Sequence, residues 1–379
     1  MFVKTEEIKL EPVVGDEAAL VEGLLRVHYG LEMAPGSLGR FTEKTVASKV
    51  YKCEARGVGP VVIKRSFWYD ASSPEAFAVS MRAYGKAYAL SEALRVRGVA
   101  LAKTFQNKKG SHVTQIGNEA VILSAFVEGN HFASRDEEFA ASGAALGMFH
   151  REGAAYLKEH PAEFQEIDRA IPVEKPYEDS RPIYEKSLRA ELVADHGDCA
   201  AKDVCAAIRE QIGEIGKAMV YVDASGVNAP GRSMGILHND FHTNNALFLP
   251  DGRMSIFLDI DQIGVGPHIW DVGNTLFSYG SNFLKNHTAE EFAPRVASFL
   301  RGYHKEFPLS LPEYKLILAA GMRWDLMRIW RSIRRHRYEN NRLPDLLPKI
   351  KDRLIPRLIG MPKVFAFINE DWLYLNVIF

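Results

Sequence analysis

Only three cysteines occur in the 379 residues, Cys53, Cys199 and Cys205, unevenly spaced and with no Cys-x-x-Cys pair. That shortage excludes a disulfide framework, argues against a zinc site and fits a reducing compartment. An excess of charge of either sign is missing too, since 47 Lys plus Arg stand against 48 Asp plus Glu for a net charge of -1. A general nucleic-acid binder needs a positive surplus to neutralise phosphates, so no nucleic-acid partner is expected. Long apolar runs are absent: the stretch from Ala120 to Val127 falls far short of the roughly 20 residues a bilayer span requires. Met1 to Glu7 carries acids where a signal peptide has a basic region and then an apolar run. The expected protein is therefore soluble, cytoplasmic and without a membrane partner. No fixed-period repeat and no low-complexity tract appears, which sets aside solenoids and disordered linkers.

What is present is a composition of 47% hydrophobic and 11% aromatic residues, enough to bury a core without covalent or metal help. The length suggests two domains or lobes. Residues 17 to 30 place Leu20, Leu24, Leu25 and Val27 at helical spacing before a glycine stop at Gly30. A β-rich block follows: Val46 to Glu54, a turn at Arg56-Gly57-Val58-Gly59-Pro60, and Val61-Val62-Ile63-Lys64. Ser73-Pro74-Glu75 then reads as the start of a long helix ending at Gly98. Ser111 to Gln115 and Ala120 to Leu123 are two further strands, and Phe126 to Asn130 reads as an inter-lobe connection. Beyond it, Phe139, Leu146 and Phe149 mark a helix, and most of 140 to 225 reads helical apart from a loop at Pro172 to Pro182. The fold class expected is α+β: an antiparallel sheet lobe with a helix over 1–127 and a larger, mainly helical lobe over 128–379.

One β-rich exception lies inside the helical half. Ile236 to Asn245 precedes the apolar Ala246 to Leu249, the turn Pro250-Asp251-Gly252, and a second apolar run, Met254 to Leu258, leading into Asp259-Ile260-Asp261. This is a hairpin that gathers Asp240 and Asn245 with Asp259 and Asp261. Two carboxylates and an amide oxygen are the hard ligands that magnesium takes beside nucleotide phosphates. Phosphoryl transfer uses an Asp for the attacking hydroxyl, an Asn beyond a four-residue gap for metal, and a second Asp for metal. Asp240, Asn245 and Asp259 stand in that order, and Lys64 is the strand lysine that holds the α- and β-phosphates.

His238-Asn239-Asp240-Phe241-His242-Thr243-Asn244-Asn245, together with Leu258-Asp259-Ile260-Asp261 and Trp270-Asp271-Val272-Gly273, resembles the aminoglycoside phosphotransferase and choline kinase-like family of small-molecule kinases. Weaker support comes from Lys64, the phrase Gly143 to His150, and the opening helix ending in Tyr29-Gly30-Leu31. The resemblance implies a protein-kinase-like two-lobed fold and ATP- and Mg2+-dependent phosphorylation of a small-molecule hydroxyl. Carried over by position, Asp240 is the base, Asn245 and Asp259 bind magnesium, Lys64 binds phosphates, and Asp271 braces the catalytic loop. The stretch Gly39 to Ser48 departs from the protein-kinase loop in holding one glycine, so backbone amides and the hydroxyls of Thr45 or Ser48 would hold the phosphates. The helix acid paired with Lys64 is unassigned: the family position falls near Ala87 or Tyr88, with Glu92 one turn on and Glu75 near the helix start. Asp261 is extra, either a direct ligand or an orienting group.

Each residue also has a plainer role. Lys64 could be an ordinary strand-end lysine, Asp271 a helix cap, His150 a satisfied core histidine, and His238 and His242 loop-packing groups, with His242 also a candidate for acceptor contact. The stretch Arg323 to Arg342 holds seven arginines, among them Arg323, Arg328 and Arg331, interleaved with Trp324, Met327 and Trp330. As a solvated helix it would bury the apolar residues and leave the arginines in water. As part of an acceptor pocket, Trp324, Arg328 and Arg331 would favour a carboxylate or phosphate over a polycation. A catalytically weak nucleotide-binding relative, and a kinase for a macromolecular or anionic acceptor, are the competing functions.

Overall fold

A computed structural model describes residues 10–42, 48–66, 74–163, 212–229, 233–284, 286–339, 350–368, 370–373 and 377. In chain order the elements are β1 (Leu10–Pro12), α1 (Asp16–Leu24), β2 (Gly39–Phe41), β3 (Ser48–Ala55), β4 (Gly59–Ser66), α2 (Pro74–Val96), β5 (Val113–Ile116), β6 (Glu119–Ala125), β7 (Asn130–His131) and α3 (Asp136–Glu159). Then come α4 (Ile212–Ser225), β8 (Met234–Leu237), β9 (Ala246–Phe248), β10 (Met254–Phe257), β11 (Gly264–Pro267), α5 (His268–Phe283), α6 (Ala289–Glu306), α7 (Ile317–Glu339) and α8 (Ile355–Ala366). The chain forms two compact units. The first gathers Met1–Ala133, Glu152–Ile171 and Asn244–Gly264, and the second Ser134–Arg151, Pro172–Thr243 and Val265–Phe379. Segments that come later in the chain thus belong to the first unit. Cys199, Cys205, Ser73, Thr45 and the loop expected at Pro172 to Pro182 lie outside the described residues.

The first unit is built on a six-stranded antiparallel sheet in the order β1-β2-β3-β4-β6-β5. Strand β2 was not expected from the sequence; it pairs through Gly39↔Lys52 and Arg40↔Tyr51. The β3–β4 hairpin turns where Gly57 and Gly59 adopt φ of 76° and 97°, a left-handed region closed to most side chains. Alternation then sorts the faces: Tyr51, Cys53, Val61, Ile63, Val121 and Leu123 form one core with Leu24 and Leu25 of the first helix. Lys64, one residue past Ile63, therefore points from the opposite face. Its register partners are Val50 and Ile122, which put it on an interior strand.

A π-helical turn over Leu25–Tyr29 continues the first helix to Gly30, and α2 is followed by Gly98, both glycines with positive φ, as the expected glycine stops required. The segment expected to be only a connection carries β7, which pairs with β9 through Asn130↔Phe248. A Cβ at Gly129 would stand 2.7 Å from that of Leu247, which is why the chain has no side chain there. Strands β9 and β10 form the expected hairpin across Pro250-Asp251-Gly252, closed by Leu249 N donating to Arg253 O at 2.8 Å.

The second unit is mainly helical. Phe139 of α3 meets Tyr279, Phe283 and Phe292 edge-on in its core. Helices α3 and α6 cross closely, since a Cβ at Gly143 would fall 1.9 Å from the Phe299 carbonyl oxygen. No helix among the described residues is long and apolar enough to cross a membrane.

Candidate active site

Within the second unit, residues 238–241 follow β8 as a loop whose backbone is pinned by one face of α5. Asp271 accepts from the backbone N–H of His238 at 2.6 Å and of Asn239 at 2.8 Å. Asn274 Nδ2 donates to the Asn239 carbonyl at 3.3 Å, and Thr275 Oγ1 to the Phe241 carbonyl at 3.2 Å. Positions 271, 274 and 275 share a helix face, so a single element clamps the loop on both sides of Asp240. Asn239 sits at φ 62°, a strained conformation that such clamping sustains. Asp271 is not merely a cap. His150, fully buried, lies 3.1 Å from its Oδ2 through Nε2 and 2.6 Å from the Tyr303 hydroxyl through Nδ1. His238 is buried against Phe149 and Phe241.

Asp240 meets Arg328 of α7, whose Nη2 donates to Oδ1 at 3.0 Å, and His242 Nε2 stands 3.7 Å from Oδ2. Arg323 and Arg328 of α7 are thus not simply solvated. Arg323 is 1% exposed, donates from Nε to Asn228 Oδ1 at 2.8 Å and lies 3.7 Å over the Trp270 ring. Trp324 is buried, with the Arg328 guanidinium 5.1 Å from its ring. The side chains of Trp330, Arg331 and the further arginines up to Arg342 lie outside the described residues.

Within the first unit, the hairpin brings Asn245 beside the end of β10, because Leu258 N donates to Asn245 O at 2.9 Å. Asp259 follows at φ 55° and ψ 56°, and the short turn Ile260–Gln262 packs on α2. The left-handed residue swings Asp259 and Asp261 toward β4, where Lys64 Nζ donates to both at 2.5 Å. Tyr88 donates its hydroxyl to Asp261 Oδ1, and Tyr84 donates to Oδ2 at 3.2 Å. Burial alone would lower the Lys64 ammonium pKa, but the charges of Asp261 and Asp259 reverse this and hold it well above the ordinary lysine value. Burial pushes the Asp261 carboxyl up, against the pull of Lys64.

Glu92 does not pair with Lys64. Both its oxygens take the Arg95 guanidinium, and Oε2 also accepts from Thr104 N at 3.4 Å, so the expected helix acid is spoken for. The place one turn earlier on α2 belongs to Tyr88. Reading the sequence reached Tyr88 only as a place where the family's acid would fall and passed over Tyr84; their four-residue spacing on one face was the available signal. Ser48 opens β3 opposite Ser66.

Asn245 and Asp259 offer hard oxygen donors, and among the described residues no group of three or more His, Cys, Asp or Glu could hold a metal. A donor set this small suits an ion that keeps its remaining positions for phosphates and water.

The model of the phosphotransferase enzyme family matches residues 45–316. No curated protein sequence matches. Among solved structures, spectinomycin phosphotransferase in complex with ADP and spectinomycin aligns with a TM-score of 0.66 at 12% identity, covering 93% of this chain and 100% of that one. Amicoumacin kinase aligns at 0.60 and 15% identity, covering 93% and 95%. Plasmodium vivax ethanolamine kinase aligns at 0.56 and 12% identity, covering 93% and 92%.

Proposed function

The chain belongs to the phosphotransferase enzyme family, and on that premise we propose that it transfers the γ-phosphoryl group of ATP to a hydroxyl of a small molecule by direct in-line displacement. The observation that supports this most is the clamped loop that holds Asp240, with the Asp271 carboxylate fixing the backbone on its N-terminal side. A general base needs that fixity, because a misplacement of about 1 Å costs on the order of 100-fold in rate.

In this reading the acceptor oxygen bonds to the γ-phosphorus while the bond from phosphorus to the β,γ-bridging oxygen breaks. The electron pair of that bond leaves with ADP, and the hydroxyl proton passes to Asp240. Lys64 holds the α- and β-phosphates and keeps Asp261 as its protein partner when a phosphate takes the place of Asp259. His150 and Tyr303 hold Asp271, which holds the loop. Asn245 and Asp259 are the residues that would hold Mg2+, and the bound ion supplies neutralisation of phosphate charge. Ser48 and Thr45 are assigned to the phosphates, and His242 to acceptor contact.

The test is mass spectrometry of a small-metabolite and amino-sugar library incubated with protein, ATP and magnesium. A product heavier by one phosphoryl group is expected, and Asp240→Ala should lower turnover by roughly 100- to 10,000-fold with nucleotide binding retained. Near-normal turnover by that variant would overturn the role of Asp240.

A further inference from the structure

Arg328 and Asp240 are both largely withdrawn from solvent, with side chains 20% and 13% exposed, and they meet at 3.0 Å. Asp325, the acid on that stretch of α7, is engaged by the buried Arg357. The Arg328 guanidinium lies against Trp324, one helical turn earlier, whose buried indole N–H finds no hydrogen-bond acceptor among the described residues. A general base must come within about 3 Å of the hydroxyl it deprotonates, so the reacting oxygen of any acceptor would lie within roughly 6 Å of Arg328 Nη2. An oxyanion hydrogen-bonded to the same guanidinium can then sit a few ångströms from that hydroxyl, as it does across two or three carbons. An amino group at the same place would face a guanidinium with little water to screen it.

We propose that the acceptor carries an oxyanion, a carboxylate or a phosphate monoester, close to the hydroxyl that is phosphorylated, and that Arg328 on Trp324 selects it, a proposal that rests on Asp240 being the base. Guanidinium is suited to this because its planar fork matches two oxygens at once, which neither lysine nor an amide can do. By drawing Arg328 to itself, the oxyanion also releases Asp240 Oδ1 for the incoming hydroxyl. The acceptor thus assembles its own base, and a ligand without the oxyanion leaves Asp240 engaged.

The experiment uses the full chain with ATP and magnesium and reads ADP release from matched pairs. Short hydroxycarboxylates are set against their amides, hydroxylated phosphate monoesters against the parent diols, and cationic amino sugars stand as a third class. Turnover confined to oxyanion-bearing members is expected, the two arms separating carboxylate from phosphate. Arg328→Gln should raise the acceptor KM roughly 10- to 100-fold with a smaller change in kcat, and Arg328→Lys should recover only part of the loss. Equal or better kcat/KM for the neutral or cationic partners would overturn the proposal. So would an Arg328→Gln variant whose kcat falls while KM stays, since the arginine would then only position Asp240. Acceptor binding is measured separately, as the rise in melting temperature of wild type and of Arg328→Gln. Oxyanion compounds that stabilise only the wild type yet are never phosphorylated would support the anion site and sink the kinase reading. Absence of both binding and turnover across the oxyanion class would sink the proposal, and full turnover in Asp240→Asn would remove the base on which it rests.

Discussion

Asp261 accepts from three groups at once, Lys64 Nζ and the hydroxyls of Tyr84 and Tyr88. A buried carboxylate is tolerable only when so surrounded, and here the donors come from a strand and a helix of the first unit. Asp261→Asn should destabilise the fold by about 2 kcal/mol and raise the KM for ATP, because among the described residues Lys64 then keeps a single carboxylate partner, the exposed Asp259. Tyr88→Phe removes a single donor and should cost about 1 kcal/mol. Chemical denaturation and steady-state kinetics of the two variants check both values. A KM unchanged in Asp261→Asn would mean that Lys64 needs no carboxylate beyond Asp259. These two tyrosines could not be assigned from the sequence, since a pair of tyrosines four apart on a helix is more often core than site.

At the scale of elements, α5 acts as a clamp, and its residues Asp271, Asn274 and Thr275 hold the backbone of residues 238, 239 and 241. Asp271→Asn preserves shape but removes charge and turns one acceptor into a donor facing backbone N–H groups. It should lower kcat far more than it changes the KM for ATP, and should also lower the melting temperature. Gly143→Val tests a different element contact. With the Cβ position 1.9 Å from the Phe299 carbonyl, α3 and α6 must separate, at a cost of about 3 kcal/mol or more by denaturation. Strand β3 permits a chemical check, because Cys53 is 1% exposed and burial, helped by Glu54, pushes its thiol up to about 11. Being protonated and covered at pH 8, Cys53 should resist iodoacetamide in the native protein and react on unfolding, as peptide mass spectrometry would show.

For the molecule as a whole, balanced charge leaves recognition to local groups: Lys64 with its acids in one unit, Asp240 with Arg328 in the other. A non-hydrolysable ATP analogue with magnesium should raise the melting temperature, by the equivalent of about 2.7 kcal/mol when present at roughly 100 times its Kd. Chelation with EDTA should remove most of that rise if Asn245 and Asp259 act through a metal.

The sequence by itself determined the architecture and singled out the candidate site residues. The β-run after a glycine turn put Lys64 on the second strand of a hairpin, Pro250-Asp251-Gly252 forced the later hairpin, and the spacing of Asp240, Asn245 and Asp259 is local enough to be read along the chain. Glycine stops at Gly30 and Gly98 were legible for the same reason, since φ > 0 is a property of one residue. Only the tertiary structure decided the partners. Lys64 chose Asp259 and Asp261, nearly 200 positions away, over Glu92, which Arg95 had already taken three residues on. Asp240 met Arg328 rather than leaving it in solvent. Pairing between distant charges depends on which faces of helices and strands come together, and residue type and local spacing do not encode that.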